Sequence, residues 1–141
     1  MAKVTAKRSL IIYFSVSGTT KKAAEKLQQR IGADIFQLQP AVPYPTSYDG
    51  LVAAGQNEKD HQIHPKLGNP LPNLSKYSKI YVGYPTWWSQ PPMIIHSLFE
   101  QVDFTGKEVV AFSTSASTPL ADTIDVIEKL AKKNGATLVL E

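Results

Sequence analysis

Phe14-Ser15-Val16-Ser17-Gly18-Thr19-Thr20-Lys21 decides how the rest of this chain is read. It follows an apolar run, Leu10 to Phe14, with the character of a buried strand, and precedes a segment of helical periodicity. Four side-chain hydroxyls, one glycine and no proline lie between Ser15 and Thr20. Backbone N–H groups there can point inward, and the start of a helix adds unpaired amides and the positive end of its dipole. A phosphate dianion suits such a loop. The same residues also suit an ordinary strand-to-helix turn whose hydroxyls cap the helix, so alone they leave two readings open. Gly-Lys-Ser/Thr and G-x-G-x-x-G, the loops of nucleoside triphosphate and dinucleotide sites, do not occur here.

Working outward, Ala24, Leu27 and Ile31 share one helical face and Gly32 supplies a stop. Asp34 to Leu38 reads as a second strand closed by Pro40, so the two strands form a right-handed parallel βαβ unit. From Pro40 to Ser78 the pattern weakens among six prolines, with a short helical candidate from Tyr48 to about Glu58. His61 and His64 lie three apart without a third ligand at a convincing spacing, and read as surface histidines.

Lys79 to Tyr84 is a third strand that runs into Pro85-Thr86-Trp87-Trp88-Ser89-Gln90, the turn holding both tryptophans. Pro91 and Pro92 open a helix whose apolar face is Met93, Ile94, Ile95, Leu98 and Phe99. Glu108 to Phe112 is a fourth strand, ending in Ser113-Thr114-Ser115-Ala116-Ser117. A last helix is expected behind the N-cap Thr118 and Pro119, carried by Leu120, Ile124, Ile127, Leu130 and Ala131 and closed by Asn134-Gly135. Thr137 to Leu140 is a fifth strand.

At 141 residues, 43% apolar and 19% charged, the chain fits one globular domain over 1–141, with 1–8 a loose N-terminal arm. It has no cysteine, hence no disulfide or thiolate chemistry. Met1 to Arg8 lacks the apolar centre of a secretion signal, and no apolar run approaches membrane-spanning length. We therefore expect a cytoplasmic protein without a membrane partner. The formal charge of +3 is spread over lysines without interleaved aromatic residues, which argues against nucleic acid as a partner.

Alternating strands and helices imply an α/β fold, a three-layer doubly wound five-stranded parallel sheet of strand order 2-1-3-4-5. That order sets strands 1, 3 and 4 side by side. Ser15 to Thr20, Pro85 to Gln90 and Ser113 to Ser117 then share one crevice at their carboxyl ends. The three loops suit one ligand: a phosphate, a flat aromatic body that Trp87 or Trp88 covers, and a polar edge met by hydroxyls and backbone groups. A phosphorylated flavin has this shape.

The sequence resembles the flavodoxin family, in particular its short bacterial FMN-binding members. The resemblance rests on Tyr13-Phe14-Ser15-x-Ser17-Gly18-x-Thr20, on Gly83-Tyr84-Pro85-x-Trp87-Trp88 and on Phe112-Ser113-Thr114-Ser115, and runs from about residue 9 to 140. It implies FMN, with Ser15, Ser17, Gly18, Thr19 and Thr20 on the phosphate. Pro85, Thr86, Trp87 and Trp88 would flank the ring, and Ser113, Thr114, Ser115, Ala116 and Ser117 would bind its edge. No side chain is expected to act as acid or base, and no metal is implied.

The departures from that pattern carry their own expectations. Thr19 stands where many relatives have asparagine, and Ala116 and Ser117 are small and non-stacking, leaving one flavin face open. Trp88 occupies a position often held by glycine, so a peptide flip that stabilises one-electron-reduced flavin is disfavoured. Carrier flavodoxins are typically acidic, and this chain is basic, so docking on a basic reductase is not supported by its charge. The family's usual last helix has no counterpart after the fifth strand. The chain is then a fragment, or another chain covers an apolar strip there, with a homodimer through that face as one form. The function expected is an FMN-binding protein carrying electrons between protein redox partners. Two alternatives stand beside it: a flavin-dependent NAD(P)H:quinone-type oxidoreductase acting on a small quinone-like acceptor, and an interaction module without flavin.

Overall fold

A computed structural model describes residues 8–15, 18–45, 47–68, 74, 77–85, 91–114 and 121–139. Its elements run β1 (Arg8–Tyr13), α1 (Thr19–Ile31), β2 (Asp34–Gln37), α2 (Tyr48–His61), β3 (Tyr77–Pro85), α3 (Met93–Gln101), β4 (Glu108–Thr114), α4 (Ala121–Lys133) and β5 (Thr137–Leu138). The strands form one five-stranded sheet ordered β2-β1-β3-β4-β5, every neighbouring pair parallel. This is the doubly wound order expected from the sequence, with β1, β3 and β4 adjacent.

Alternation along the strands sends side chains to two unequal layers. Leu10, Ile12, Phe14, Ile80, Val82, Tyr84, Val109 and Ala111 point to the larger core, which α3 and α4 cover with Ile94, Ile95, Leu98, Phe99, Ile127 and Ala131. Ile11, Tyr13, Tyr81 and Val110 point the other way and meet Ala24 and Leu27 of α1. The expected apolar face of α1 is the one that packs: Ala24 is buried, Leu27 packs against the core and Thr20 extends the same face by a turn, whereas Ile31, the last helical residue, is 38% exposed. Gly32 stops the helix as expected, at φ 69, with its N–H on the carbonyl oxygen of Gln28.

The strip expected to lie bare on the α1 side is not an exposed apolar patch among the described residues. Tyr81 and Val110 are buried, and Phe112 and Val139 half-buried. Two local contacts involve Phe112 and Tyr81. The Phe112 ring lies so close over Gly83 that a Cβ there would fall 2.2 Å from its Cζ, and the Lys79 ammonium sits 5.8 Å from the Tyr81 ring centroid. Among described residues, the exposed large apolar side chains are Ile31, Val42 and Ile63, none of them on a strand.

Several elements extend beyond the stretches the sequence suggests: β1 starts at Arg8, β4 runs on to Thr114, and α2 and β3 outrun their patterns furthest. α2 continues past Glu58 to His61, starting from Ser47, whose Oγ accepts from Gly50 N–H at 3.1 Å. It ends at Gln62 in the left-handed region, φ 51. β3 begins at Tyr77, before the polar pair Ser78 and Lys79. Tyr77 is fixed there by its hydroxyl, which donates to Asp34 Oδ2 at 2.6 Å, and by Lys107 Nζ, which donates to its carbonyl oxygen at 2.7 Å. The expected N-cap at Thr118 and Pro119 lies outside the described residues.

Candidate functional site

The sheet register brings the carboxyl ends of β1, β3 and β4, from which the expected loops depart, to one level. Tyr13 of β1 pairs with Gly83 of β3, and Pro85 of β3 with Thr114 of β4. Two residues beyond Tyr13 lies Ser15, so Ser15, Pro85 and Thr114 mark neighbouring chain positions at the carboxyl edge, with strands about 4.8 Å apart. The Phe14 N–H donates to the Gly83 carbonyl oxygen at 3.0 Å and carries the β1–β3 pairing to the threshold of the loop.

The turn after β1 is closed from within. Gly18 has φ 93 and ψ −7, and its N–H donates to Ser15 Oγ at 3.1 Å. A side chain at Gly18 would meet nothing within 4 Å, so glycine is required there by backbone conformation and not by crowding. Gly18 is also the N-cap of α1 and supplies no side-chain cap, so among the described loop hydroxyls it is Ser15 that serves the turn, through the Gly18 N–H. The first turn contains no acidic residue that would compete for an anion.

Thr20, one residue into the helix, is 2% exposed. Its hydroxyl lies 2.7 Å from that of Thr114 at the end of β4. One of the two hydroxyl hydrogens is spent in that bond, which pins the start of α1 to the third loop. Thr19 is exposed, and Ser113, Thr114 and Pro85 are half-buried at the same edge. Ser15, Gly18, Thr19, Thr20, Pro85, Ser113 and Thr114 are thus brought to one end of the sheet. Ser17, Thr86, Trp87, Trp88, Ser115, Ala116 and Ser117 lie outside the described residues.

A family model described as flavodoxin matches residues 8–138. The chain belongs to the flavodoxin family. A candidate flavoprotein of Bacteroides eggerthii is 29% identical with a TM-score of 0.84, over 96% of this chain and 88% of its own. A second, from Bacteroides uniformis, is 27% identical with a TM-score of 0.81, over 96% and 92%. The flavoprotein of Lactobacillus acidophilus solved in complex with FMN is 24% identical with a TM-score of 0.84, over 96% and 91%, and shares the fold. No curated protein matches the chain.

Beneath the flavodoxin-family loops lie residues that sequence reasoning did not assign. The Tyr84 and Thr123 hydroxyls meet at 2.7 Å in the buried layer and join the end of β3 to α4. Burial pushes the Tyr84 hydroxyl up to about 12, with the bond to Thr123 acting in the opposite direction. Phe14 packs against Tyr44 with ring centroids 5.6 Å apart, and the Tyr44 hydroxyl donates to Glu58 Oε1 at 2.7 Å. Burial raises the Glu58 carboxyl above its ordinary range despite that bond. Through this pair α2 supports the residue from which the phosphate-type loop departs. Partners 39 and 14 residues apart give no local signal in the sequence.

The histidines have other roles. The His61 ring meets the carbonyl oxygen of Asn57 one turn back in its own helix, at 3.0 Å. His64 Nδ1 lies 2.8 Å from Glu100 Oε2, and its ring is 5.0 Å from that of His96 on α3. Among the described residues no group of three or more His, Cys, Asp or Glu is placed to hold a metal, and no helix is long and apolar enough to cross a membrane.

Proposed function

We propose that this protein binds FMN and carries electrons between redox partners. The observation that carries the reading is the Gly18 turn: an open, left-handed glycine at the start of α1, braced by Ser15 and tied by Thr20 to Thr114. Its donors fit a phosphate monoester, since backbone amides and hydroxyls form directed hydrogen bonds and the helix start adds positive potential. FMN bound there would supply the redox chemistry. The residues of this chain hold and orient it: Ser15, Ser17, Gly18, Thr19 and Thr20 at the phosphate, Pro85 to Trp88 along the ring, and Ser113 to Ser117 at its polar edge. The complex of the Lactobacillus acidophilus protein with FMN supports the choice of cofactor.

The described loop ends suit a flavin that is held and oriented, a demand common to a carrier and to a reductase that takes hydride directly onto the flavin. Ser15, Gly18, Thr19, Thr20, Pro85, Ser113 and Thr114 offer hydroxyls and amides and no side chain that titrates near neutrality. Such a set binds and positions, and moves no proton of its own. Titration of the purified chain with FMN, followed by loss of flavin fluorescence, tests the binding. Rapid NAD(P)H oxidation by the loaded protein with a quinone as acceptor would replace the carrier reading by the reductase.

A further inference from the structure

The exposed face of α1 carries charge that neither the fold nor the phosphate loop requires. Its exposed residues include Lys21, Lys22, Glu25, Lys26, Gln29 and Arg30. Lys22, Lys26 and Arg30 are four apart and fall in one row along the helix. With four cations and one carboxylate, α1 holds +3, equal to the formal charge of the whole chain, and the remaining residues carry eleven charges of each sign. Lys21 and Lys22 stand in the first turn, beside the positive end of the dipole, a placement that helix stability alone disfavours. Among the described residues the ion pairs are Lys59–Asp60 and His64–Glu100, neither of them on α1. The row therefore faces solvent without an ion-pair partner among the described residues, beginning within a turn of Gly18 and extending about 12 Å from Lys22 to Arg30.

We propose that this face is the docking surface for a protein partner with an acidic surface. The inference rests on the electron-carrier reading for its purpose, because a partner held along α1 sits beside the loop that grips the cofactor. The surface itself is defined by charge complementarity. A protein is favoured over nucleic acid by two features of the face: it has no exposed aromatic side chain for stacking, and Glu25 stands beside the cationic row, between Lys21 and Gln29, where it would repel a phosphate backbone.

The test titrates the purified chain, with and without FMN, against plant-type ferredoxin as acidic probe, cytochrome c as basic probe and a random-sequence DNA duplex. Calorimetry and backbone-amide shifts at roughly 20 and 300 mM salt read the binding. Ferredoxin should bind at low salt, shift amides of α1 and lose affinity by about tenfold or more at high salt. The double variant Lys22→Glu, Lys26→Glu should lose that binding to the same extent while keeping its FMN affinity. Ferredoxin binding that is absent, equal to that of cytochrome c, or unchanged in the variant overturns the proposal, as does a DNA duplex bound equally tightly. A chain that fails to take up FMN refutes the flavin reading, and its flavin-free titration still decides the docking surface.

Discussion

The hydroxyls of Thr20 and Thr114, 94 residues apart in sequence, lie 2.7 Å from each other and join the first turn of α1 to the last residue of β4. The bond makes one unit of two loops that start from different strands. Thr20 is buried and Thr114 half-buried, so the two valine substitutions should differ. Thr114→Val strands a buried hydroxyl and should lower stability by about 1–3 kcal/mol, whereas Thr20→Val leaves a partner that water can reach and should cost about 0.5–1.5 kcal/mol. Urea denaturation of both variants measures the order. Both should also weaken FMN, because the start of α1 is no longer held against the third loop.

Gly18 lies at φ 93 with open space where a Cβ would stand. Gly18→Ala therefore acts through backbone strain alone, of about 1–2 kcal/mol. If the strained residue serves a phosphate, FMN should weaken by roughly tenfold with riboflavin little changed. Fluorescence titrations with the two flavins check this.

Gly83 is conformationally ordinary but lies beneath the Phe112 ring, and a Cβ there would fall 2.2 Å from Cζ. Gly83→Ala should destabilise by about 1–3 kcal/mol through overpacking. Adding Phe112→Leu should recover part of the loss, and a thermodynamic cycle of the four proteins measures the coupling.

His96 Nε2 is buried without a hydrogen-bond partner among the described residues. Burial first, and then the neighbouring His64, hold its imidazole below the ordinary value, with Glu100 acting in the opposite direction. The unfolded chain binds the proton more readily, so stability should fall as pH drops below about 6.5 toward the lower folded value. His96→Leu removes both the unpaired nitrogen and this loss. Thermal melts between pH 5 and 8, a range set by the imidazole titration, should show a flatter profile for the variant and a higher midpoint at the acid end.

Elements built from local pattern were legible in the sequence. The apolar run Leu10 to Phe14, the stop at Gly32 and the alternation of strands and helices give β1, the end of α1 and the sheet order, and with them the carboxyl ends of β1, β3 and β4 at one edge. What escaped was set by contacts between distant residues. Tyr77 starts β3 early because Asp34 and Lys107 anchor it, and α2 outruns its pattern because its apolar and polar faces are poorly separated. Thr20 looked like one phosphate-loop hydroxyl among four, and only the fold shows it turned inward to Thr114. Glycine within a strand often marks a close approach, yet nothing local named Phe112 as the side chain above Gly83.

On the function proposed here, the turn from Ser15 to Thr20 grips the phosphate of FMN. Comparing FMN with riboflavin on the unmodified protein, by flavin fluorescence in the same buffer, tests it most directly. FMN should bind more tightly by about a hundredfold or more, the scale of two charge-assisted hydrogen bonds to one phosphate. Equal affinities for the two flavins, or no binding of either, would contradict it.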